Sequence, residues 1–278
     1  MRNSIIKIFF LFASAFIISA SQAQVVDIGL LGGGTYYLGD LNPHQQFLLT
    51  KPAYGGLIRF VFDDRWSARF NLMRGEIAGD DAISGTNELR NLRFKSSITE
   101  LSLTAELNFL EYFTGSQFYY FSPYLFAGPA FFIFNPKAPY QGEMLALRDL
   151  GTEGQIADST KNKYSLYGGA LVFGFGIKYS INKRLGLGLE WGMRKTFTDY
   201  LDDVSTNYYI DFTSLDPNNI SDWDRVILSD PSAIKHTPGM QRGNSGTNDW
   251  YSFAGITLTY RFRLGEKTTC VDFDYINK

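Results

Sequence analysis

The sequence predicts an all-β fold: an eight-stranded antiparallel transmembrane β-barrel with short periplasmic turns and long extracellular loops. Three observations predict it. Apolar residues alternate with polar or small ones in segment after segment, the period of a strand rather than of a helix. Charged side chains fall on the second face of several segments, a face that therefore cannot meet lipid. Short and long connections alternate without exception, as they do when tight turns lie on one side of a membrane and long loops on the other.

Residues 1–23 read as a signal peptide outside the fold. Arg2 and Lys7 form a short basic region, and Ile8 to Ile18 is an apolar or small-residue run. Ser21-Gln22-Ala23 then presents a cleavage site ahead of Gln24. The run is too short to span a bilayer as a helix. Export is the consequence, and residues 24–264 are expected to form the barrel, with 265–278 a short periplasmic tail.

The strand segments, in order, are 25–38, 52–62, 66–77, 92–109, 118–134, 164–181, 185–198 and 250–264. The first contains Gly32-Gly33-Gly34, which no helix follows, so it reads as a curved strand and not as a phosphate cradle. In the third, Trp66, Ala68, Phe70 and Leu72 oppose Ser67, Arg69 and Asn71. In the fourth, Leu101, Leu103, Ala105, Leu107 and Phe109 oppose Glu100, Ser102, Thr104, Glu106 and Asn108. The sixth sets Phe173, Phe175, Ile177 and Tyr179 against Gly174, Gly176, Lys178 and Ser180. The seventh sets Leu185, Leu187, Leu189, Trp191 and Met193 against Gly186, Gly188, Glu190, Gly192 and Arg194. The eighth sets Ile256, Leu258, Tyr260 and Phe262 against Thr257, Thr259, Arg261 and Arg263. A strand tilted by about 45° needs roughly 9–11 residues to cross the hydrocarbon layer, and each segment is long enough.

The short links are 63–65, 110–117 and 182–184; the long ones are 39–51, 78–91, 135–163 and 199–249. A lipocalin-type barrel keeps its apolar side inside, whereas here the second face carries Arg69, Glu106, Lys178, Glu190, Arg194 and Arg261. The apolar face therefore meets lipid. Eight strands enclose only enough room for packed side chains, and Gly186, Gly188 and Gly192 are expected to make space for long charged groups on neighbouring strands. Trp66, Tyr179, Trp250, Tyr260 and Phe262 suit the aromatic girdles at the membrane surfaces.

Composition excludes several functions. Loss of residues 1–23 leaves 24 of the 26 basic residues against 28 acidic ones, so there is no basic excess for nucleic acid. The single cysteine, Cys270, cannot form an intramolecular disulfide. The only histidines, His44 and His236, lie in long loops, and neither stands on a strand with a serine two positions away. No catalytic, cofactor-binding or metal-ligating set is therefore assigned. Glu100, Glu106 and Glu190 with Arg59, Arg69, Lys178, Arg194 and Arg261 admit two readings, a pore lining or a mutually neutralising plug; the narrow barrel favours the plug. The 199–249 loop holds nine aspartates, no glutamate, and only Arg225, Lys235 and Arg242 in opposition. With Asn218 and Asn219 it still lacks the spacing of a twelve-residue calcium loop. It reads as a solvated surface loop, with Ser221-Asp222-Trp223-Asp224 capping a short helix ahead of Val226, Ile227 and Leu228.

More specific pieces run along nearly the whole mature chain. They are Gly33-Gly34-Thr35-Tyr36-Tyr37-Leu38-Gly39-Asp40-Leu41, Arg74-Gly75-Glu76-Ile77-Ala78-Gly79-Asp80-Asp81, and PYLFAGPAFFIFNPKA from Pro123 to Ala138. Leu150-Gly151-Thr152-Glu153-Gly154-Gln155 follows, then RKTFTDYLDDVSTNY from Arg194 to Tyr208, Arg242-Gly243, and Asn248-Asp249-Trp250-Tyr251. In these pieces the chain resembles the PorG-type outer-membrane β-barrel of the type IX secretion system. The resemblance implies a non-enzymatic subunit of the cell outer membrane that anchors or docks a periplasmic ring, built of a lipoprotein and its partner. It carries over no catalytic or partner-binding residue. Outer-membrane lipid is the expected surroundings, and no small-molecule substrate, nucleic acid or cofactor is expected. The alternative is a structural or adhesive barrel, or a small pore, without a secretion role.

Overall fold

The computed structural model describes residues 25–156, 158, 160–212 and 220–263. The expected signal peptide 1–23 and the tail 265–278 with Cys270 lie outside the described residues. Among the described residues nine strands are present: β1 (Val25–Leu38), β2 (Lys51–Val61), β3 (Trp66–Asp80), β4 (Arg93–Asn108), β5 (Phe121–Tyr140), β6 (Glu143–Ala146), β7 (Tyr167–Ser180), β8 (Leu185–Thr196) and β9 (Trp250–Arg263). The helices among the described residues are short: α1 (Asp81–Ser84), α2 (Leu147–Leu150) and α3 (Ile220–Ser229).

Eight of the strands close into a ring. β1, β2, β3, β4, β5, β7, β8 and β9 pair in that order, each antiparallel to the next. β9 returns to β1 over the full register from Val25↔Arg263 to Leu38↔Trp250. Closure leaves no open sheet edge, the condition for a sheet to exist in lipid. β6 stands outside the ring as a short flap on the outer end of β5. β3 and β5 run past their expected ends, to Asp80 and Tyr140, because they continue to pair above the lipid layer, where the apolar pattern no longer marks them. Helix α3 forms where a short helix was expected, while the side chain of its expected cap, Ser221, lies outside the described residues.

The two faces are inverted relative to a water-soluble protein. Leu30 is 70% exposed and Leu189 54%, and Phe70, Leu72, Leu125, Phe175, Ile177, Ile256 and Leu258 are exposed with them. Arg69 and Glu106, by contrast, are 2% and 0% exposed. A belt of this extent in water would be an aggregation surface; in a bilayer it is the lipid contact.

The interior differs from expectation in its upper part. Along β4, Leu101 faces outward and Glu106 inward near the periplasmic end, whereas Lys95 faces outward and Phe94 and Ile98 inward near the loops. Met73, Ile77, Phe132, Phe134, Val172 and Phe253 join Phe94 and Ile98 in an apolar core with Leu41, Leu201 and Val204 of the loops. Above the hydrocarbon layer the outside of the wall meets water, so the ordinary rule of an apolar inside returns. The glycines of β8 also serve a different neighbour from the expected one. A Cβ on Gly192 would lie 2.7 Å from the Phe126 ring and 3.1 Å from a nitrogen of Arg194. At Gly192 an aromatic ring fills the space, and at Gly186 and Gly188 the Thr259 and Thr257 hydroxyls lie nearest.

At the periplasmic end two links are tight turns. The Asp63 carboxylate accepts the amides of Arg65 and Trp66, and the Asn182 side chain accepts those of Arg184 and Leu185. The third link, expected as a plain connection, is a plug. Its Tyr112 and Phe113 are buried, Phe113 packs with Val25 and Val61, and the Arg261 guanidinium lies 4.2 Å from the Phe113 ring centre.

Introducing charge on the belt tests its assignment. Leu189→Arg is expected to lower stability by about 2–4 kcal/mol in equilibrium unfolding from lipid vesicles. An unchanged transition would place that face away from lipid.

Candidate functional site

The charged groups expected in the lumen are brought together by six strands. Glu106 of β4 is held by Arg59 of β2 at 2.7 Å, Arg69 of β3 at 3.1 Å and Lys178 of β7 at 2.7 Å. Arg69 reaches on to Glu190 of β8 at 2.6 Å, where the Tyr124 hydroxyl also donates at 2.7 Å. Higher up, Arg194 pairs with Glu100 at 2.9 Å, and Tyr251 donates to the same carboxylate at 2.8 Å. Asp27 of β1, which sequence reasoning missed, completes the set: Arg261 lies 2.7 Å from it and Arg59 3.5 Å. Asp27 sits between Val26 and Ile28 in a strand read for its glycines, and its period-two relation to the inward positions was the signal available.

This arrangement is the plug and not the pore lining. Every one of these side chains is at most 5% exposed, so they pack against one another and not around open water. Five cations (Arg59, Arg69, Lys178, Arg194, Arg261) face four carboxylates (Asp27, Glu100, Glu106, Glu190), so neutralisation falls one charge short. Aromatic faces meet part of that surplus: Lys178 lies 4.3 Å from the Tyr124 ring centre and Arg69 4.9 Å from that of Phe126.

A second set of buried charges knits the extracellular loops into a cap. Glu153, in the loop after α2, accepts the Ser205 and Thr206 amides at 2.9 and 3.1 Å, the Thr206 hydroxyl at 2.7 Å and Arg242 Nη1 at 3.0 Å. Arg242 also donates to the Asp203 carbonyl at 2.5 Å and the Ser229 carbonyl at 3.1 Å. Asp203 accepts from Thr152 at 2.5 Å and Tyr164 at 2.7 Å. Arg90, from the loop after β3, holds Asp81 through two nitrogens and donates to the Arg242 and Asp40 carbonyls at 2.7 and 2.9 Å. All four long connections are thereby tied to one another. The 199–249 loop was expected as a solvated surface; its root at 201–205 is instead buried.

At the centre of the cap Tyr37, near the outer end of β1, donates to Asp202 at 2.5 Å and stands 3.1 Å from Asp249. Burial, then repulsion from neighbouring carboxylates, holds both Asp202 and Asp249 well above the usual carboxylate range. Partial burial raises Asp199 to about 7, with Asp40 and Glu153 adding to it. Burial raises Asp203 to about 6 against the opposing pull of Arg242.

The histidines stay apart. His44 is exposed on the loop after β1. His236 stacks on Tyr208 with ring centres 4.2 Å apart, and its Nδ1 lies 3.1 Å from Asp230 and 3.3 Å from the Ser232 hydroxyl. Serine, histidine and aspartate are therefore adjacent. Yet the serine and the carboxylate share one ring nitrogen, whereas a relay needs them on opposite nitrogens. Among the described residues no cluster of histidine, cysteine and carboxylate side chains could hold a metal ion.

A family model described as a domain of unknown function, DUF6089, matches residues 3–232. The chain belongs to the DUF6089 family. Comparison with curated proteins returned no sequence match. Among solved structures, this DUF6089 chain is similar to OprG from Pseudomonas aeruginosa, at 11% identity and a TM-score of 0.43 over 87% of this chain and 98% of that one. It is also similar to Ail, the attachment invasion locus protein of Yersinia pestis, at 9% identity and a TM-score of 0.42 over 86% and 99%. A third is Neisserial surface protein A, at 10% identity and a TM-score of 0.37 over 86% and 96%. The closed ring, lipid-facing belt and buried charged interior make this DUF6089 member a barrel of the cell outer membrane.

Two substitutions separate the barrel from its cap. Glu106→Gln leaves three buried cations short of their carboxylate and is expected to cost about 3–5 kcal/mol of barrel stability. Arg242→Ala removes the cation from Glu153 and Asp203 and is expected to expose the loops to protease while the folded barrel keeps its faster migration on an unheated gel. Loss of that migration in Arg242→Ala, or retention of full stability in Glu106→Gln, would contradict these assignments.

Proposed function

We propose that this protein is a non-enzymatic structural subunit of the type IX secretion machinery, a fixed point in the outer membrane on which the periplasmic ring is anchored or docked. One observation carries the reading. The sequence pieces that resemble the PorG-type barrel, scattered from Tyr37 to Tyr251, contribute the residues that lock the cap: Tyr37, Asp81, Glu153, Asp203, Arg242 and Asp249. In this chain those pieces meet to build one cap above a filled barrel. A filled lumen suits a scaffold, because function is then left to the two ends and the wall. The periplasmic turns, the 109–120 plug and the 265–278 tail are the parts assigned to the ring lipoprotein and its partner.

The test is genetic. Deleting the gene is expected to abolish release of type IX cargo proteins into the medium, and restoring the full-length chain is expected to recover it. Ring proteins are expected to co-purify with the barrel. Normal cargo release from the deletion strain would remove the secretion role and leave a structural or adhesive outer-membrane barrel.

A further inference from the structure

We propose that the loop between β8 and β9 is latched onto the barrel mouth by one proton held among Tyr37, Asp202 and Asp249, and that loss of this proton to solvent at alkaline pH frees the root of the loop.

The hydrogen-bond roles place the proton. Asp202 Oδ1 accepts the Val204 amide at 2.9 Å, and its Oδ2 accepts the Tyr37 hydroxyl at 2.5 Å. Asp249 Oδ2 accepts the Leu201 amide at 2.9 Å. Three of the four carboxylate oxygens are thus acceptors. The fourth, Asp249 Oδ1, stands 3.1 Å from the phenol oxygen, whose only hydrogen is already given to Asp202. Two acceptors at that separation repel, so Asp249 Oδ1 must carry a hydrogen and donate it. The closed latch is a chain, Asp249 O–H to Tyr37 O–H to the Asp202 carboxylate, with one negative charge for two acids.

Its surroundings favour keeping that proton. Both aspartates are at most 1% exposed, and among the described residues no lysine or arginine forms an ion pair with either. The charged groups facing the pair are Asp40 from the β1–β2 loop and Asp199 from its own loop, with Arg90 of the β3–β4 loop the cation that acts on Asp202. The nearby cations are committed elsewhere: Arg90 to Asp81, and Arg242 to Glu153 and Asp203. Gly39 closes the site, since a Cβ there would lie 2.0 Å from Asp249 Oδ1 and 2.2 Å from the Tyr37 oxygen. The latch joins three distant points, since Asp202 and Asp249 sit at the two ends of the loop and Tyr37 in the wall.

The direction with pH follows from linkage. Burial raises both acids, so the closed cap binds a proton that the released loop gives up in the ordinary carboxylate range. The closed form is therefore fully favoured at acidic pH and loses ground as pH rises through the raised values. Asp203 at about 6 and Asp199 at about 7 add the same sign near neutrality.

Amide hydrogen exchange on the full-length folded protein tests the latch, because the Leu201 and Val204 amides donate to the two carboxylates themselves. After correction for intrinsic exchange, their protection is expected to fall by about tenfold or more between pH 6 and pH 9. In Asp249→Asn, whose side-chain amide replaces the O–H donor, the fall is expected to shrink to the smaller part that Asp199 and Asp203 contribute. Infrared spectra are expected to show a protonated-carboxyl C=O band at pH 6 that is weaker in Asp249→Asn, Asp199 and Asp203 supplying the remainder. Asp202→Asn, which also removes one charge from the pair, serves if the first variant fails to fold. Protection independent of pH in the parent protein, or an equal fall in the folded variant, would overturn the proposal.

Discussion

The interaction on which the rest of the molecule depends is the junction at Glu106. Lipid on the outside forces every charge of the wall inward, and an eight-stranded ring has no room for water around them. The carboxylate of Glu106 resolves that conflict by drawing in Arg59, Arg69 and Lys178 from three other strands, with no exposure of its own. Asp27 and Glu190 extend the junction to β1 and β8 through Arg59 and Arg69. Breaking one partner of such a buried set costs far more than the set contributes as a whole, because the remaining ions are left uncompensated. The wall and its filling therefore hold together or fail together.

Above this junction the molecule changes character. The wall continues past the lipid, the inward face becomes apolar, and the cap seals it with a separate polar system centred on Glu153, Arg242 and the Tyr37 aspartates. The two systems are joined by aromatic rings: Tyr124 bonds Glu190 below, Tyr251 bonds Glu100, and Phe132 meets the Tyr251 ring edge-on at 5.7 Å between centres. A surface assembled in this way is fixed relative to the membrane. That is what an anchoring role requires of it, and it is independent of any passage through the lumen.

The strands were legible in the sequence because lipid imposes a strict alternation. Leu185 to Arg194 shows it most plainly, and the ring places each of those residues on the expected face. The alternation fails as a guide where lipid ends. Phe94 and Ile98 are apolar and inward, and Phe131 and Phe132 are equally apolar on opposite faces, so composition does not say which is which. The periplasmic plug was missed because Tyr112 and Phe113 fall in a connection whose length suggested only a turn. The cap was the least legible part. Glu153 and Arg242 are 89 residues apart, and a single charged residue in a loop carries no mark of a distant partner. Only the resemblance flagged those positions, and it did so without saying that they meet.

The central claim is that this barrel is filled and acts through its surfaces, and ion conductance tests it most directly. Purified full-length protein inserted into planar lipid bilayers is predicted to give no single-channel steps above the background of the bare membrane. Reproducible, stepwise conductance from folded protein would contradict the account, because ions would then be crossing where Glu106 and its cations close the lumen.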